Sequence, residues 1–193
     1  MQIRELILAS SSPRRRALMA EAGLNFKVII ADIDEKKKEK ETPPEMVERL
    51  AFEKVHAVAK GLSSGLVIGA DTIVVLDNEI LGKPADENDA SIMLKKLSGR
   101  EHTVYTGISV IDAENGIFHT SHMKTKVKFI ELNDEMIERY VATKEPMDKA
   151  GSYAIQGVGT FLIERIDGDY STVVGLSMPL LSHLLNLHGY TVL

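Results

Sequence analysis

Residues 66–76 read LVIGADTIVVL and decide the fold. A nearly continuous run of aliphatic, largely β-branched residues is typical of a central strand that is buried on both faces of a sheet. Asp71 interrupts this run, and burial of an unpaired carboxylate costs several kcal/mol. Asp71 must therefore be paired, bound to a metal, or placed at an accessible end of the strand. The strand alone does not separate a structural aspartate from a functional one.

The N-terminal stretch predicts a second buried strand that leads directly into a helix. Residues 6–9 (LILA) form a short apolar run, and SSSPRRRALM follows it. Ser12 suits the N-cap of a helix, Pro13 suits the first helical position, and Gly23 suits the residue after the end.

Strands and helices are interleaved along the rest of the chain without strict alternation. This pattern predicts an α/β protein with a mixed sheet flanked by helices. No internal repeat or Pro/Ser-rich linker divides the chain, so we expect a single domain over residues 1–193. The further elements that the pattern predicts are strands at 26–31, 79–84, 102–111 and 122–132, helices at 43–61, 85–99, 133–143 and 179–190, and a hairpin at 160–175.

Composition excludes several classes of protein. With 44% hydrophobic and 26% charged residues, the chain is typical of a compact globular protein. It has no cysteine, which excludes disulfides, iron–sulfur clusters and a thiol nucleophile. A net charge of -5 and an aromatic content of 5% argue against a nucleic-acid partner. No apolar run approaches the roughly 20 residues that span a bilayer, so we expect no membrane association and a cytoplasmic location.

Three arginines, Arg14 to Arg16, occupy the first turn of the predicted helix. The helix dipole is already positive there, so each arginine costs about 0.3 to 1 kcal/mol unless an anion compensates for it. Serine hydroxyls and backbone N–H groups without helical acceptors surround them, which favours a phosphate-binding site. We refer to residues 10–16, from the end of the strand through the first turn of the helix, as the phosphate loop. A capped surface helix with solvated arginines is the alternative.

Other candidates for chemistry are weaker when taken singly. Asp32, Asp34 and Glu35 follow the predicted second strand and could supply oxygen ligands to Mg²⁺, although charged loops are commonly only solvated. Lys54 and Lys83 could reach phosphate oxygens, although each alone is typical of a surface lysine.

Gln156 lies in a glycine-rich stretch, residues 151–159, and its amide can both donate to and accept from a base edge. The glycines there do not form the dinucleotide-binding fingerprint. The P-loop, GxSxG and HExxH motifs are also absent from the sequence.

Four blocks taken together resemble the Maf (septum formation protein) family of nucleotide pyrophosphatases. The resemblance implies an elongated α/β fold with two lobes and a deep cleft between them, and a homodimer. It also implies divalent-metal-dependent cleavage of nucleoside triphosphates to the monophosphate and pyrophosphate. The blocks are LILASSSPRRRALM (6–19), VIGADTIVVLDNEILGKP (67–84), LSGREHTVYTG (97–107) and EPMDKAGSYAIQGVGTFLIERIDGDYSTVVGL (145–176).

The resemblance also assigns base selection. The family's base-selective positions fall on Arg14, Thr72 and Gln156. In family members that act on 7-methyl-GTP these three positions are Trp, Gln and Glu, whereas in the dTTP/UTP branch, which this sequence resembles, they are Arg, Thr and Gln. The resemblance therefore implies a pyrimidine nucleotide as substrate.

The remaining roles in the family are catalytic and ionic. The resemblance makes Asp71 the acidic catalytic residue, with Glu35, Lys54 and Lys83 in support. Asp71 and Glu35 would hold Mg²⁺ or Mn²⁺, and Ser10 and Arg15 would join the phosphate contacts. Asp71 either holds the metal or takes the proton from the attacking water, and both roles stay open.

Two departures from the family's pattern stand outside the charged positions. The usual Gly-Leu-Pro near the end reads Gly175-Leu176-Ser177, and Ile130 stands where the family often has Arg.

From the motif blocks and the base-selective positions we expect an enzyme that hydrolyses dTTP and UTP, and modified pyrimidine relatives, at the α-phosphate. The alternative is a non-catalytic nucleotide-binding regulator of cell division or septum formation.

Overall fold

A mixed sheet of seven strands forms the centre of the fold, with helices flanking it. The structure is a computed structural model that describes residues 4–193. The strands are β1 (Leu6–Leu8), β2 (Phe26–Val28), β3 (Leu66–Leu76), β4 (Glu79–Leu81), β5 (Glu101–Asp112), β6 (Phe118–Phe129) and β7 (Ile163–Asp167). The helices are α1 (Pro13–Glu21), α2 (Pro43–Ala59), α3 (Glu87–Leu97), α4 (Asp134–Ala142), α5 (Tyr170–Val174) and α6 (Met178–Leu187).

The strand order is β2-β1-β3-β5-β6-β7, with β4 paired to β3. The sheet is mixed, as predicted, because β1 runs parallel to both β2 and β3 whereas β4 and β7 pair antiparallel with their neighbours. Every residue of β3 except Thr72 is buried, which confirms the central strand. None of the helices among residues 4–193 has the length and apolar character needed to cross a membrane.

The chain divides into two compact units. The first unit comprises the chain up to Asp71 together with Thr106–Met123 and Gly175–Leu193. The second unit comprises Thr72–Tyr105 and Lys124–Val174.

Helix α2 lies directly on the strands of the first unit. Thr42 precedes it, and the Thr42 backbone N–H donates to the Glu45 carboxylate at 2.8 Å, so the predicted start of the helix is confirmed. A Cβ on Gly107 of β5 would lie 2.3 Å from the Val47 carbonyl oxygen, so only glycine allows this approach. The core that α2 covers contains Ile7, Ala9, Val55, Val58, Ala59, Val67 and Ile111.

The second unit has its own apolar core with a buried polar pair inside it. His102 is 2% exposed, and its Nε2 lies 2.8 Å from the Tyr153 hydroxyl. The edge of the His102 ring meets the ring of Phe129 at a centroid distance of 5.1 Å. Within the described chain, Nδ1 of His102 has no hydrogen-bond partner. Burial lowers the pKa of His102 to about 4, so the ring is neutral near pH 7.

The predicted hairpin at 160–175 is wrong. Only its first half is a strand, β7, whose Ile166 pairs with Val127 of β6. The second half is helix α5, because the Asp169 carboxylate accepts the Thr172 backbone N–H at 2.9 Å and so caps a helix. The predicted second strand was also too long, since β2 ends at Val28.

Candidate active site

An ion-paired cluster surrounds Asp71, which is the last residue of β3 that belongs to the first unit. The Nζ atom of Lys54 is 2.6 Å from Oδ1 of Asp71 and 2.7 Å from Oε1 of Glu35. Lys54 is 7% exposed and Asp71 8% exposed. The interpretation of Lys54 as a surface lysine is therefore wrong, and Asp71 is paired as its burial demands. One ammonium thus joins two carboxylates that come from distant parts of the sequence.

Close packing of β3 against α2 brings these groups together. A Cβ on Gly69 would lie 2.7 Å from Cγ1 of Val55 and 2.9 Å from the Ala51 carbonyl oxygen. The strand therefore approaches the helix backbone at Gly69, two residues before Asp71. This approach allows the Lys54 side chain, one turn along α2 from Ala51, to reach the carboxylate.

Glu35 reaches the cluster from an exposed loop that α2 anchors. Arg49 of α2 donates through Nη2 to the Lys36 carbonyl oxygen at 3.1 Å and to Oε2 of Glu41 at 2.8 Å. The hydrogen bond to Glu41 raises the pKa of Arg49, so this anchor is permanently charged. Among the three acidic residues that the sequence grouped, Glu35 contacts Lys54, whereas Asp34 pairs with Lys36 at 3.1 Å. The third, Asp32, is exposed.

Arg15 connects the phosphate loop to the backbone beside Asp71. Its Nη1 donates to the Ala70 carbonyl oxygen at 2.8 Å and to Oγ of Ser10 at 3.3 Å. Its Nε donates to the Gly175 carbonyl oxygen at 2.8 Å. Burial lowers the pKa of the Arg15 guanidinium, and the nearby charge of Asp71 acts in the opposite direction. These bonds make Arg15 a structural tie, and a phosphate contact by the same residue stays a prediction.

The phosphate loop lies at the same edge of the sheet as Asp71. Leu8 pairs with Ile68 in parallel, so the chains leaving β1 and passing along β3 run side by side at that edge. Ser12 caps α1 as predicted, because its Oγ accepts the Arg15 backbone N–H at 3.4 Å, and Pro13 opens the helix. The first turn of α1 carries no acidic residue, so the dipole of the helix favours an anion at this end.

The second unit holds the other three residues that the sequence singled out. Thr72 is half-buried and follows Asp71 directly. Lys83 is exposed, and the carbonyl oxygen of Gly82 beside it accepts the Gly151 N–H at 3.0 Å. Gln156 is half-buried and precedes a 3₁₀ segment, Gly157–Leu162. The structure thus links the turn before Lys83 to the glycine-rich stretch, and it records no hydrogen bond or ion pair between Lys83 and Gln156.

Sequence reasoning missed Glu145. Its carboxylate accepts the backbone N–H groups of Val158 and Gly159 at 3.0 and 2.9 Å and the Tyr140 hydroxyl at 2.9 Å. We call residues 154–159 the Gln156 loop. The spacing of Gly157 and Gly159 was the available signal, because such glycines often mark a backbone that wraps closely around another group.

Two carboxylates of the cluster suit a divalent cation. Within residues 4–193, no group of three or more acidic or histidine side chains gathers as a complete metal site. Mg²⁺ bound to a phosphate chain is commonly held by one or two carboxylates and takes its other oxygens from phosphate and water. Asp71 and Glu35, which already share one cation in Lys54, fit that donor set.

Comparisons with known proteins identify relatives of the whole chain. A protein from Pelotomaculum thermopropionicum called "dTTP/UTP pyrophosphatase" is 50% identical over 191 residues, covering 99% of this chain and 100% of that protein. One of the same name from Dictyoglomus turgidum is 48% identical, covering 98% and 99%. The Staphylococcus aureus Ham1 structure has the same fold, with a TM-score of 0.51 at 16% identity, covering 95% of this chain and 90% of that one.

The family model described as "Maf-like protein" matches residues 5–188, which includes segments of both units. The match therefore extends beyond the ion-paired cluster to the Gln156 loop and Glu145. With relatives of about half identity along their full length, the chain belongs to the Maf family.

Proposed function

We propose that this protein hydrolyses dTTP and UTP, and modified relatives of them, to the nucleoside monophosphate and pyrophosphate. The observation that carries the proposal is the buried Lys54–Asp71 pair, with Glu35 on the same ammonium, at the sheet edge where the phosphate loop begins. The names of the full-length relatives support the same reaction.

The phosphate loop supplies the cationic side of the reaction. A nucleoside triphosphate carries about four negative charges, which must be balanced in a protein whose own net charge is -5. Ser10, Arg14 and the first N–H groups of α1 donate to phosphate oxygens in this proposal. Arg15 holds this loop in place, and Lys83 is likewise assigned to phosphate.

Asp71 performs the chemical step by one of two routes. It takes the proton from the water that attacks the α-phosphorus, or it would be a ligand of a divalent metal, which would supply Lewis acidity to that water. In either route Lys54, at 2.6 Å, fixes the orientation of the carboxylate. Pyrophosphate leaves toward the cations of the phosphate loop.

A divalent cation, Mg²⁺ or Mn²⁺, completes the proposal. Asp71 and Glu35 would hold it, and it would neutralise phosphate charge and lower the pKa of a bound water. Arg49 positions Glu35 for this role by fixing the loop through the Lys36 carbonyl oxygen.

The test of the proposed function is product analysis with dTTP and Mg²⁺ or Mn²⁺. We expect monophosphate and pyrophosphate in equal amounts over many turnovers. Binding without turnover at every concentration of either metal would contradict hydrolysis.

Base selection is proposed to depend on Gln156. Its amide offers both a donor and an acceptor, the pair that N3–H and a carbonyl oxygen of uracil or thymine require. A buried polar group left unpaired by the wrong base gives a large penalty. We therefore expect dTTP and UTP to be cleaved well ahead of GTP and 7-methyl-GTP. Thr72 points to the opposite face of β3 from Asp71 and is assigned to backbone or ribose.

Gln156→Glu is expected to reduce the preference for dTTP over GTP by about tenfold, because an ionised carboxylate only accepts hydrogen bonds. The measurement is kcat/KM for both substrates. Inhibition by pyrophosphate is the control and should not change. A variant with the original preference, or an unmodified protein that favours 7-methyl-GTP, contradicts the assignment.

Arg14→Ala is expected to raise KM for dTTP by about tenfold, because it removes one charge-assisted contact to phosphate. The stability of the protein should not fall, since the arginine opposes the dipole of α1. Steady-state kinetics and thermal unfolding measure the two effects. Arg16→Ala, on the exposed side of the same turn, is the matched control, and an unchanged KM in Arg14→Ala would remove the phosphate role.

Three further properties belong to the same proposal. Both units act as one functional domain over residues 1–193, which the span of the family match supports. The protein acts in the cytoplasm, where nucleoside triphosphates are made and used, without a nucleic-acid or membrane partner. It forms a homodimer, and a determination of its molecular mass in solution tests this directly.

A further inference from the structure

The Glu145 carboxylate holds the backbone that follows Gln156. Its Oε2 accepts the Val158 N–H at 3.0 Å, and its Oε1 accepts the Gly159 N–H at 2.9 Å. Two successive amides of the loop thus depend on one side chain, which lies outside the loop. Hydrogen bonds to a charged acceptor are the stronger kind, so they fix this turn of backbone firmly.

Tyr140 extends the same contact to the residues before Gln156. Its hydroxyl donates to Oε1 of Glu145 at 2.9 Å and accepts the Ala154 N–H at 3.1 Å. Tyr140 is 2% exposed, and burial raises the pKa of its hydroxyl, so it remains a donor at neutral pH. The backbone on both sides of Gln156 is therefore bound to one hydroxyl–carboxylate pair.

Two glycines allow the loop to close around this pair. Gly157 has a φ of +75°, and a Cβ there would lie 2.4 Å from Oε2 of Glu145. A Cβ on Gly159 would lie 2.2 Å from the Ala154 carbonyl oxygen and 2.7 Å from the Tyr140 hydroxyl. The two glycines and the carboxylate thus fix together the backbone that carries Gln156.

We propose that Glu145, with Tyr140, is a positioning residue that sets base selectivity by fixing the backbone of Gln156. This inference rests on the proposed function, because it assumes that Gln156 reads the base. The three donors that occupy the Glu145 carboxylate all belong to its own unit, and two of them are backbone amides that closely follow Gln156. Its effect on the nucleotide is therefore exerted through the backbone of Gln156. Selectivity should therefore respond to a side chain that never touches the substrate.

Glu145→Gln is the first test. The amide keeps the shape of the side chain but places an N–H₂ group against a backbone N–H, so at least one of the two amide bonds is lost. We expect KM for dTTP to rise and the preference for dTTP over GTP in kcat/KM to fall about five- to tenfold. We expect kcat for dTTP to stay within about twofold and inhibition by pyrophosphate to stay unchanged, because the phosphate loop is intact.

Tyr140→Phe is the second variant, which removes the hydroxyl while keeping the ring in the core. It should shift the same ratio in the same direction by about three- to fivefold. If Glu145→Gln does not fold, Tyr140→Phe decides the matter. The matched control is Glu135→Gln on α4, which removes an exposed carboxylate paired with Arg139 at 2.6 Å and should leave the ratio unchanged.

The outcomes separate this inference from the proposed function. An unmodified protein that cleaves no pyrimidine nucleotide overturns both. An unmodified protein that prefers dTTP, together with unchanged ratios in folded Glu145→Gln and Tyr140→Phe, overturns the positioning role alone. A fall in kcat for dTTP and GTP to the same extent, with the ratio preserved, also overturns it, because that is the effect of general disruption.

Discussion

Asp71→Asn is expected to lower kcat for dTTP by at least about 100-fold while the protein stays folded. Asparagine keeps the shape of the side chain but removes its charge and its basicity, so it serves neither as a proton acceptor nor as a strong metal ligand. Lys54 retains Glu35 at 2.7 Å, so the buried ammonium is not left without a counter-charge. Steady-state kinetics and circular dichroism measure the two halves of this expectation.

Asp112→Asn is the matched control for that experiment. Asp112 is also a buried aspartate of the first unit, 2% exposed, and its Oδ2 pairs with Arg4 at 2.9 Å. It lies outside the proposed machinery, so the substitution should reduce stability without a comparable loss of kcat. A fully active Asp71→Asn would remove the catalytic assignment, and an unfolded Asp71→Asn would indicate a structural aspartate.

Acid is expected to destabilise the second unit through His102. Its pKa is about 4 in the folded protein, against 6.5 ordinarily, so between these values the unfolded chain binds more protons than the folded one. The contribution of the neutral ring to stability is complete above pH 6.5 and is lost as the pH falls toward 4. The loss approaches roughly 3 kcal/mol below that pH. Denaturant unfolding across this range measures it.

His102→Gln provides the comparison, because carboxylates titrate in the same range in both proteins. Glutamine does not titrate and retains a hydrogen-bonding group near the Tyr153 hydroxyl. The free energy of unfolding of the unmodified protein should therefore fall relative to that of the variant as the pH is lowered. Parallel curves for the two proteins would show that His102 is protonated equally well in both states.

Local signals made much of the fold predictable. The apolar run of β3 and the caps at Ser12 and Thr42 depend on neighbouring residues only, and the structure confirms all three. The hairpin predicted at 160–175 is wrong because Asp169 caps a helix in its second half. A β-branched run such as that of α5 favours a strand by local preference, and the cap together with tertiary packing overrides it.

Long-range contacts were the part that sequence could not supply. Composition and spacing pointed to Asp71 as a residue in need of a partner, but not to Lys54, whose burial depends on Gly69 approaching α2. The sequence predicted Arg15 as a phosphate contact or a solvated arginine. Its bond to the Gly175 carbonyl oxygen was not predictable, because it joins residues 160 positions apart. The sequence could not single out Glu145, because its partners at Val158 and Gly159 are backbone N–H groups, which almost every residue carries.

The interleaving of the two units along the chain has a consequence for protein synthesis. Synthesis of the second unit is complete at Val174, when the first unit still lacks Gly175–Leu193. Arg15 is therefore synthesised early, whereas its acceptor, the Gly175 carbonyl oxygen, is added only after more than half of the chain has been translated. During synthesis a compact unit generally folds as a whole, once all of its segments are available. The surroundings of Asp71 are thus completed only after Gly175 is added, and a chain truncated after Val174 lacks one of the two carbonyl oxygens that hold the Arg15 guanidinium.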